Sequence, residues 1–500
     1  MAETLHGLLA RNAFKDPQGV ALSWPQGQMT MTWRELAGRA EALAELLLAR
    51  GVKKGERVAI FISNRPEFVV AFFGILQAGA VVVPLNVKLT PPEVAYILQD
   101  SGASGLIYED ALRSTAEEAL RGLPTMKIIL AERELPLRPS GVFNLEVSPA
   151  DVAEILYTSG TTGKPKGVIL THSAVYLVGS MIAYESDLRF GDVCLHLMPL
   201  THSAPLNLFL VGATWAGAKH VLGTFTPEVF LELVAAERVT HFFGAPVAYA
   251  LALRVPGRER YDLSSVKRWI YGGAAMPATL AQQVAAHMPA PMLGLYGLTE
   301  AGPNGVAIYP WEHEKYAGSI GRRAAVNSMV RLVDDAGRDV PPGTVGEIII
   351  KAPTVMQGYL NRPQETAETL RDGWVYTGDL AVQDQDGYIW VKDRKKDMII
   401  TGGVNVYPRE VEEVLLLCPG VLDVAVVGVP HPDWGETVLA MAVLEPGRQP
   451  QEMEQQIKEF CRKSLADYKI PRLFQFVDAI PRNASGKILK HVIRAEYVVK

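Results

Sequence analysis

The chain has 500 residues, of which 48% are hydrophobic and 21% charged, and its formal net charge is −5. This composition excludes a mainly disordered chain, a coiled coil and a collagen-like repeat. The slight negative charge also argues against non-specific nucleic-acid binding through a basic surface. At roughly 150 residues per domain, the length predicts about three domains or sub-domains.

The first two thirds of the chain alternate between helical and strand-like patterns. Apolar residues at helical spacing predict a helix over 33–50, and a strand-like run follows at 57–63. The apolar stretch 69–85 has the length of a short membrane span, but Gly74, Gly79 and Pro84 interrupt it. We therefore predict a buried helix followed by a buried strand there. Such alternation is typical of parallel sheets covered by helices on both faces.

The pattern changes twice in the last third. From about Asn327, two strands flank a turn-rich segment, which predicts a smaller antiparallel, barrel-like unit. Beyond Asp393, short strands and helices alternate, which predicts a separate α+β domain. The expected fold class is thus α/β, with an N-terminal domain over 1–394 and a C-terminal domain over 397–500.

Cysteine usage and the N-terminus indicate the compartment. Cys194, Cys418 and Cys461 lie far apart and show no zinc-type spacing, which predicts a reduced, cytoplasmic protein. The N-terminus carries Glu3 and has too short an apolar run for a signal peptide. We expect no transmembrane segment.

A glycine-rich loop is the most informative segment, since residues 157–167 read YTSGTTGKPKG. Glycines let backbone N–H groups approach an anion, hydroxyls donate further hydrogen bonds and lysines neutralise charge, so the loop suits a polyphosphate. It is not a Walker A loop, because the spacing fails and Pro165 follows Lys164. The residues alone also allow an exposed hairpin with solvated lysines.

This loop resembles the signature of the adenylate-forming superfamily, which includes acyl-CoA synthetases, luciferases and peptide-synthetase adenylation domains. Further segments match its motifs in order: YGLTEAG at 296–302, YTGDL at 376–380, DRKKDMIITGGVNVYPREVE at 393–412 and PRNASGK at 481–487. Pro84-Leu85-Asn86 extends the resemblance less specifically into the N-terminal third.

The resemblance implies an ATP site. Thr299 would contact the phosphates and Glu300 would hold Mg²⁺, while Asp379, expected at a strand end, and Arg394 would bind the ribose. The implied ATP-binding residues are Thr158, Ser159, Gly160, Thr161, Thr162, Gly163, Lys164, Lys166, Tyr296, Gly297, Thr299, Asp379 and Arg394. The ordinary alternatives are a surface Thr-Glu pair, a helix-capping Asp379 and a solvated Arg394.

The resemblance also implies a catalytic lysine and a moving domain. Lys487 would reach the carboxylate and the α-phosphate and stabilise charge during adenylation. Lys396 matches the hinge about which the family's C-terminal domain rotates, whereas we expect Lys395 to be a solvated charge. A lone lysine at position 487 would otherwise be expected in solvent.

Several features favour the CoA-ligase branch. No acidic residue occurs between Asp192 and Glu228, where amino-acid-selecting domains place an Asp, and His202 matches the PLxH histidine of acyl- and aryl-CoA ligases. His196 and His202 lack a third ligand that would make a metal site. The chain ends Val-Val-Lys, unlike the peroxisomal tripeptide of luciferases. The implied CoA-binding residues are Gly402, Gly403, Trp434, Tyr468 and Lys88, with ordinary packing as the alternative for Trp434 and Tyr468.

We therefore expect an ATP-dependent carboxylic acid–CoA ligase that uses ATP, Mg²⁺ and coenzyme A and forms an acyl-adenylate. The alternatives are an acyl-AMP ligase that loads a carrier protein and a non-enzymatic nucleotide-binding homologue. The implied acyl pocket is apolar, without a cation for a second carboxylate, and a medium-chain, benzoate-like or branched acid would fit it. A homodimer is left open. The implied pocket residues are Thr201, His202, Leu206, Tyr271, Gly272, Gly273, Ala274 and Leu298.

Overall fold

The computed structural model describes residues 3–123, 126–139, 145–158, 164–274, 276–482 and 488–498. The chain divides into two compact units. The first comprises Met1–Arg331 and Ile349–Tyr376, and the second comprises Leu332–Ile348 and Thr377–Lys500. The expected boundary between residues 394 and 397 concerns a moving hinge and stays a prediction.

The strands, in chain order, are β1 (Val20–Trp24), β2 (Met29–Thr32), β3 (Arg57–Phe61), β4 (Val81–Pro84), β5 (Gly105–Tyr108), β6 (Ile128–Ala131), β7 (Val152–Thr158), β8 (Lys166–Thr171), β9 (Val193–His196), β10 (Lys219–Leu222), β11 (His241–Gly244), β12 (Arg268–Gly272), β13 (Met292–Gly297), β14 (Gly305–Ile308), β15 (Arg323–Ala324), β16 (Met329–Val333), β17 (Val345–Lys351), β18 (Gly358–Tyr359), β19 (Leu370–Arg371), β20 (Trp374–Gln383), β21 (Ile389–Arg394), β22 (Ile399–Thr401), β23 (Val404–Val406), β24 (Val421–His431), β25 (Gly435–Leu444) and β26 (Leu473–Phe476).

The helices are α1 (Leu5–Lys15), α2 (Trp33–Ala49), α3 (Pro66–Gln77), α4 (Pro91–Ser101), α5 (Arg113–Leu120), α6 (His172–Glu185), α7 (Val211–Ala216), α8 (Pro227–Ala236), α9 (Pro246–Leu253), α10 (Ala278–His287), α11 (His313–Tyr316), α12 (Pro363–Thr369), α13 (Pro408–Leu415), α14 (Pro450–Cys461) and α15 (Lys490–Val498). A π-helical segment covers Ala204–Leu210, and a 3₁₀ turn covers Thr299–Ala301.

The first unit is built on two mixed sheets. One has nine strands in the order β15-β14-β13-β12-β11-β9-β10-β1-β2, and the other has seven in the order β18-β8-β7-β4-β3-β5-β6. The central strands are parallel, as expected, whereas β2, β8 and β14 each join an antiparallel pair. The carboxyl ends of the parallel strands β12 and β13 lie side by side, which is where open α/β sheets bind ligands.

The apolar stretch 69–85 forms the buried helix α3 and the buried strand β4, as predicted. Gly74 on α3 allows close packing against α2, because a Cβ there would lie 2.8 Å from the carbonyl oxygen of Ala40. Among the residues that the structure describes, no helix combines the length and apolar character needed to cross a membrane.

The expected antiparallel unit is a five-stranded sheet, in the order β16-β17-β20-β19 with β21 paired to β20. The C-terminal α+β region contains a second five-stranded sheet, in which β24 and β25 form a long antiparallel pair. Alternate residues of β24 enter two cores, because successive side chains of a strand point to opposite faces. Val424 and Val426 pack in the core that includes α13 and α14, whereas Val427 and Val429 pack with Ile493 of α15.

Candidate active site

A hairpin frames the predicted phosphate loop. Strands β7 and β8 pair antiparallel, and Thr158 and Lys166 form the last pair before the turn. The predicted loop residues Ser159, Gly160, Thr161, Thr162 and Gly163 lie outside the described residues. Lys164 Nζ lies 5.5 Å from the ring centroid of Tyr96, and Lys166 Nζ lies 5.1 Å from that of Tyr359.

Glu300 lies beside this hairpin. It belongs to the 3₁₀ turn that follows β13, and the hydroxyl of Tyr359 donates to its Oε1 at 2.8 Å. Because Tyr359 also contacts Lys166, this tyrosine brings a lysine of the phosphate loop and the predicted metal-binding carboxylate together. Tyr359 was not predicted from the sequence, since a tyrosine outside every motif carries no signal of its own.

A glycine terminates the turn that carries Glu300. Gly302 adopts a left-handed conformation, with φ 72°, and a Cβ there would lie 2.2 Å from the carbonyl oxygen of Thr354. A side chain would therefore clash with rigid backbone as well as strain the turn. The last glycine of the YGLTEAG segment thus has a structural function, namely to terminate the turn that presents Thr299 and Glu300.

The segment that carries His202 contacts the same turn. The hydroxyl oxygens of Ser203 and Thr299 lie 2.9 Å apart. The side-chain amide of Asn64 holds the preceding backbone, because Nδ2 donates to the carbonyl oxygens of His196 and Met198 and Oδ1 accepts from the N–H of Leu200. Asn64 and Ser203 were not predicted, because only the tertiary fold brings their partners close.

The orientation of Asn86 determines the tautomer of His202. Asn86 Oδ1 accepts the backbone N–H of Lys88 at 3.0 Å, which leaves Nδ2 to donate to His202 Nε2 at 3.3 Å. Burial lowers the pKa of His202. The imidazole is therefore neutral, with Nε2 as the acceptor and the proton on Nδ1.

The other implied pocket residues have different environments. Tyr271 is the penultimate residue of β12 and has its hydroxyl 3.1 Å from His313 Nε2, and the fully buried Leu206 belongs to the main core. Thr201 Oγ1 is buried and has no hydrogen-bond partner among the described residues. Gly273 has φ 75°, which would strain any other residue, although no described atom would clash with a Cβ there. Gly272, Ala274, Leu298, Tyr296 and Gly297 lie at or just beyond the adjacent ends of β12 and β13.

His196 belongs to a buried hydrogen-bond chain away from His202. Thr214 donates to the carbonyl oxygen of Leu210, so its hydroxyl accepts from His220 Nε2 at 3.2 Å. His220 Nδ1 then accepts from His196 Nε2 at 3.0 Å. Both rings are neutral in this arrangement, and burial lowers the pKa of each. Within the described residues, no three His, Cys, Asp or Glu side chains are grouped to hold a metal ion.

Buried histidines predict acid sensitivity. Burial lowers the pKa of His6 to about 4 and those of His172 and His220 to about 3, whereas unfolded histidine titrates near 6.5. Between these values the unfolded chain binds more protons, so stability is fully present above pH 6.5 and falls below it. At pH 5 each histidine should cost about 2 kcal/mol of unfolding free energy. The midpoint of urea unfolding should therefore be lower at pH 5 than at pH 7.5.

Two histidine variants control this prediction. His220→Gln should weaken the pH dependence, whereas His287→Gln, at an exposed position, should not change it. An unfolding midpoint that is constant or rises on acidification to pH 5 would contradict the prediction.

In the second unit, Asp379 and Arg394 lie opposite each other on β20 and β21. Arg394 Nε lies 2.5 Å from Asp379 Oδ1, and the Asp379 side chain is nearly buried. The expectation that Asp379 ends a strand is wrong, because β20 continues to Gln383. Gly378, with φ 70°, is a backbone irregularity within β20, immediately before the residue at which the strand was expected to end.

The charged run after β21 is only partly solvated. Lys395 is exposed, as expected of a solvated charge, and it pairs with Asp335 at 2.7 Å and with Glu347 at 3.3 Å. Hydrogen bonding to Asp335 raises the pKa of Lys395. Lys396 is exposed in the turn before β22. Lys487 lies outside the described residues.

Gly402 and Gly403 form the two-residue turn between β22 and β23, with φ 57° and 78°. A type I′ hairpin turn needs positive φ at both positions, so these glycines have a local structural reason apart from the expected CoA tunnel. The Gly402 N–H donates to the carbonyl oxygen of Trp434 at 2.9 Å.

Of the remaining implied CoA-binding residues, Trp434 lies in a partly exposed stack. It stacks on His431 at a centroid distance of 4.2 Å, and the Arg472 guanidinium lies 3.5 Å from the Trp434 ring centroid. Tyr468 is also partly exposed. Lys88, in the first unit, is exposed.

The mixed α/β sheets, the hairpin with a Gly/Ser/Thr-rich loop and the C-terminal α+β region define the architecture of an adenylate-forming enzyme. The chain matches the AMP-binding enzyme family over residues 9–360 and the AMP-binding enzyme C-terminal domain over residues 410–487. The chain therefore belongs to the AMP-binding enzymes, in the acyl-CoA synthetase branch of the adenylate-forming superfamily.

Relatives and solved structures agree with this assignment. The chain is 40% identical to a feruloyl-CoA synthase of Amycolatopsis sp, over 97% of this chain and 98% of the relative. It is 37% identical to the long-chain-fatty-acid–CoA ligase FadD13 of Mycobacterium tuberculosis, over 98% of both chains. The anthranilate CoA ligase AuaEII in complex with anthranoyl-AMP matches with TM-score 0.89 and 29% identity, over 99% of this chain and 97% of that one. The predicted class, an acid–CoA ligase that acts through an acyl-adenylate, is confirmed, and the carrier-protein alternative is not favoured.

Proposed function

We propose that the protein activates a hydrophobic monocarboxylic acid with MgATP and transfers the acyl group to CoA. The observation that carries this proposal is the convergence of three segments in the first unit. Tyr359 contacts both Lys166 and Glu300, and Ser203, next to His202, contacts Thr299. Lysines for phosphate, a carboxylate for a cation and a neutral imidazole thus belong to one connected group of residues.

In the first half-reaction the acid's carboxylate oxygen attacks the α-phosphorus of ATP, and pyrophosphate leaves. We assign the polyphosphate to Ser159–Lys166, the ribose to Asp379 and Arg394, and stabilisation of the reacting centre to Lys487. In the second, the CoA thiol loses its proton and its sulfur attacks the acyl carbonyl, releasing AMP. We assign CoA to Gly402, Gly403, Trp434, Tyr468 and Lys88, and the hinge between the two steps to Lys396.

Glu300 fits the proposed Mg²⁺. Its carboxylate accepts a hydrogen bond from the hydroxyl of Tyr359, which lies on β18 and pairs with β8 of the phosphate-loop hairpin. A single carboxylate suffices, because Mg²⁺ keeps several waters and shares substrate phosphate oxygens. When bound, the ion would neutralise phosphate charge.

The three reduced cysteines support a cytoplasmic location, and a homodimer stays a proposal.

The acid is proposed to be hydrophobic because the implied pocket residues include no lysine or arginine that could pair with a second carboxylate. The two relatives above point to aromatic propenoic acids and fatty acids as the first classes to test. The experiment measures acid-dependent pyrophosphate release from MgATP for ferulate, benzoate, fatty acids of graded length and malonate, each with and without CoA.

Ferulate or a fatty acid should give CoA-dependent AMP release and an acyl-CoA product, whereas malonate should be inactive. Adenylate formation without thioester, even with CoA present, would instead favour transfer to a carrier protein. No pyrophosphate release with any acid would contradict the ligase proposal.

The tautomer of His202 predicts an asymmetric response to substitution. Only Nδ1–H can donate to a bound acid, since Nε2 accepts from Asn86. The amide of His202→Asn lies near the former Nδ1 and that of His202→Gln near the former Nε2. The kcat/KM for the acid should therefore be about tenfold higher in His202→Asn than in His202→Gln, because only the former keeps a donor near Nδ1. That factor corresponds to one hydrogen bond to a charged group. Equal loss in two equally stable variants would contradict this role.

A further inference from the structure

A buried acidic residue lies outside the groups assigned above. Glu154 is the third residue of β7, and its side chain is fully buried. Its cross-strand neighbours are Val82 on β4 and Leu170 on β8, both apolar. An ionised carboxylate is strongly disfavoured in such a place unless a charged partner meets it. Among the described residues, no charged side chain forms an ion pair or hydrogen bond with Glu154.

The polar group that meets Glu154 is a neutral amide. Asn207, also fully buried, lies in the π-helical segment Ala204–Leu210 and donates from Nδ2 to Glu154 Oε1 at 2.6 Å. Glu154 Oε2 and Asn207 Oδ1 are both buried, and neither has a hydrogen-bond partner among the described residues. Two acceptors cannot bond to each other unless one carries a proton, and here the carboxyl is the group that can carry it.

We propose that Glu154 is a neutral carboxylic acid in the folded enzyme, and that it forms a reciprocal acid–amide pair with Asn207 which positions the segment carrying His202. Asn207 Nδ2–H donates to Oε1, and the protonated Oε2 donates to Asn207 Oδ1. This arrangement satisfies both otherwise unpaired atoms with one proton. The pKa of Glu154 is consistent with a protonated carboxyl, because burial raises it to about 7.

The pair joins two parts of the candidate active site. β7 leads directly into the predicted phosphate loop, and the π-helical segment begins two residues after His202. π-Helical turns are rare, occur often at functional sites and need specific partners to hold their wider geometry. Glu154 is therefore a positioning residue, and its kinetic effect rests on the proposed ligase function.

Infrared difference spectroscopy tests the protonation state without any substrate. The spectrum of wild type minus Glu154→Gln at pH 6 should contain the C=O stretch of a buried carboxylic acid. A carboxylate band in its place would overturn the proposal. This measurement does not depend on catalysis, so its failure is distinguishable from failure of the ligase assignment.

Four variants test the positioning role. Glu154→Gln can form the same reciprocal pair through its amide and should retain activity. Glu154→Leu and Asn207→Leu each leave one polar partner buried and unpaired, so both should lose stability. The double Leu variant removes both polar groups and should recover stability. Its kcat/KM for the acid should nevertheless stay on the order of tenfold below wild type, because the His202 segment is no longer held in place.

The double variant decides between positioning and simple structure. Recovered stability together with low kcat/KM for the acid supports positioning. Recovery of both would mean that the pair only fills the core, and would overturn the proposal. Loss of activity in the stably folded Glu154→Gln variant would overturn it as well, since that variant preserves the pairing.

Discussion

Replacing Lys487 with alanine is expected to reduce acyl-adenylate formation on the order of 100- to 1,000-fold. During adenylation, negative charge builds on the α-phosphate and on the attacking carboxylate oxygen, and the resemblance assigns Lys487 to that charge. Conversion of supplied acyl-adenylate and CoA into thioester should largely survive. In that step the thiol attacks the acyl carbonyl, and no bond forms to the phosphorus that Lys487 is expected to face.

The two half-reactions are measured separately, as acid-dependent pyrophosphate release and as thioester formation from synthetic acyl-adenylate. Lys463→Ala is a suitable control, since it removes an exposed lysine from the same C-terminal region and should leave both rates unchanged. Equal losses in the two half-reactions of Lys487→Ala would contradict the assignment of the lysine to adenylation alone.

Replacing Asp379 with alanine should raise KM for ATP about 100-fold. The register of β20 and β21 sets Asp379 against Arg394, and the nearly buried carboxylate is an acceptor-only group. Loss of two charge-assisted hydrogen bonds to ribose hydroxyls, at about 1.5 kcal/mol each, corresponds to that factor. Unlike Lys487→Ala, this change should impair both half-reactions, because the adenylate carries the same ribose.

Initial-rate kinetics over a range of ATP concentrations, with circular dichroism to verify folding, measure this effect. Asp379→Asn keeps an acceptor oxygen and should lie between wild type and Asp379→Ala. Asp386→Ala, in the exposed turn between β20 and β21, is the matched control and should leave KM unchanged. An unchanged KM in folded Asp379→Ala would exclude the ribose role.

Sequence patterns predicted the central helices and strands well where one period dominated. The helix α2, at Trp33–Ala49, covers nearly all of the predicted range 33–50, and α3 and β4 divide the stretch 69–85 as expected. Apolar residues at helical spacing, with a proline or glycine at each break, determine such elements locally. The antiparallel pairs within the mixed sheets were missed, because strand direction depends on partners that are distant in sequence.

Site residues show the same division. Motif order alone marked Glu300, Asp379 and His202, since each belongs to a recognisable run of residues. Asn64, Tyr359 and Ser203 belong to no predicted site, and the side-chain hydrogen bonds that place them in the site reach partners at least 59 residues away in the chain.

By itself, the sequence determined the class of enzyme, the order of its parts and the residue types that its chemistry requires. Tertiary structure decided which of these residues touch. It placed Asp379 inside a strand opposite Arg394 and hydrogen-bonded His196 to His220. It also oriented Asn86 so that His202 carries its proton on Nδ1. The physical reason is that tautomer, protonation and pairing depend on burial and on partners across the fold, which a linear pattern does not contain.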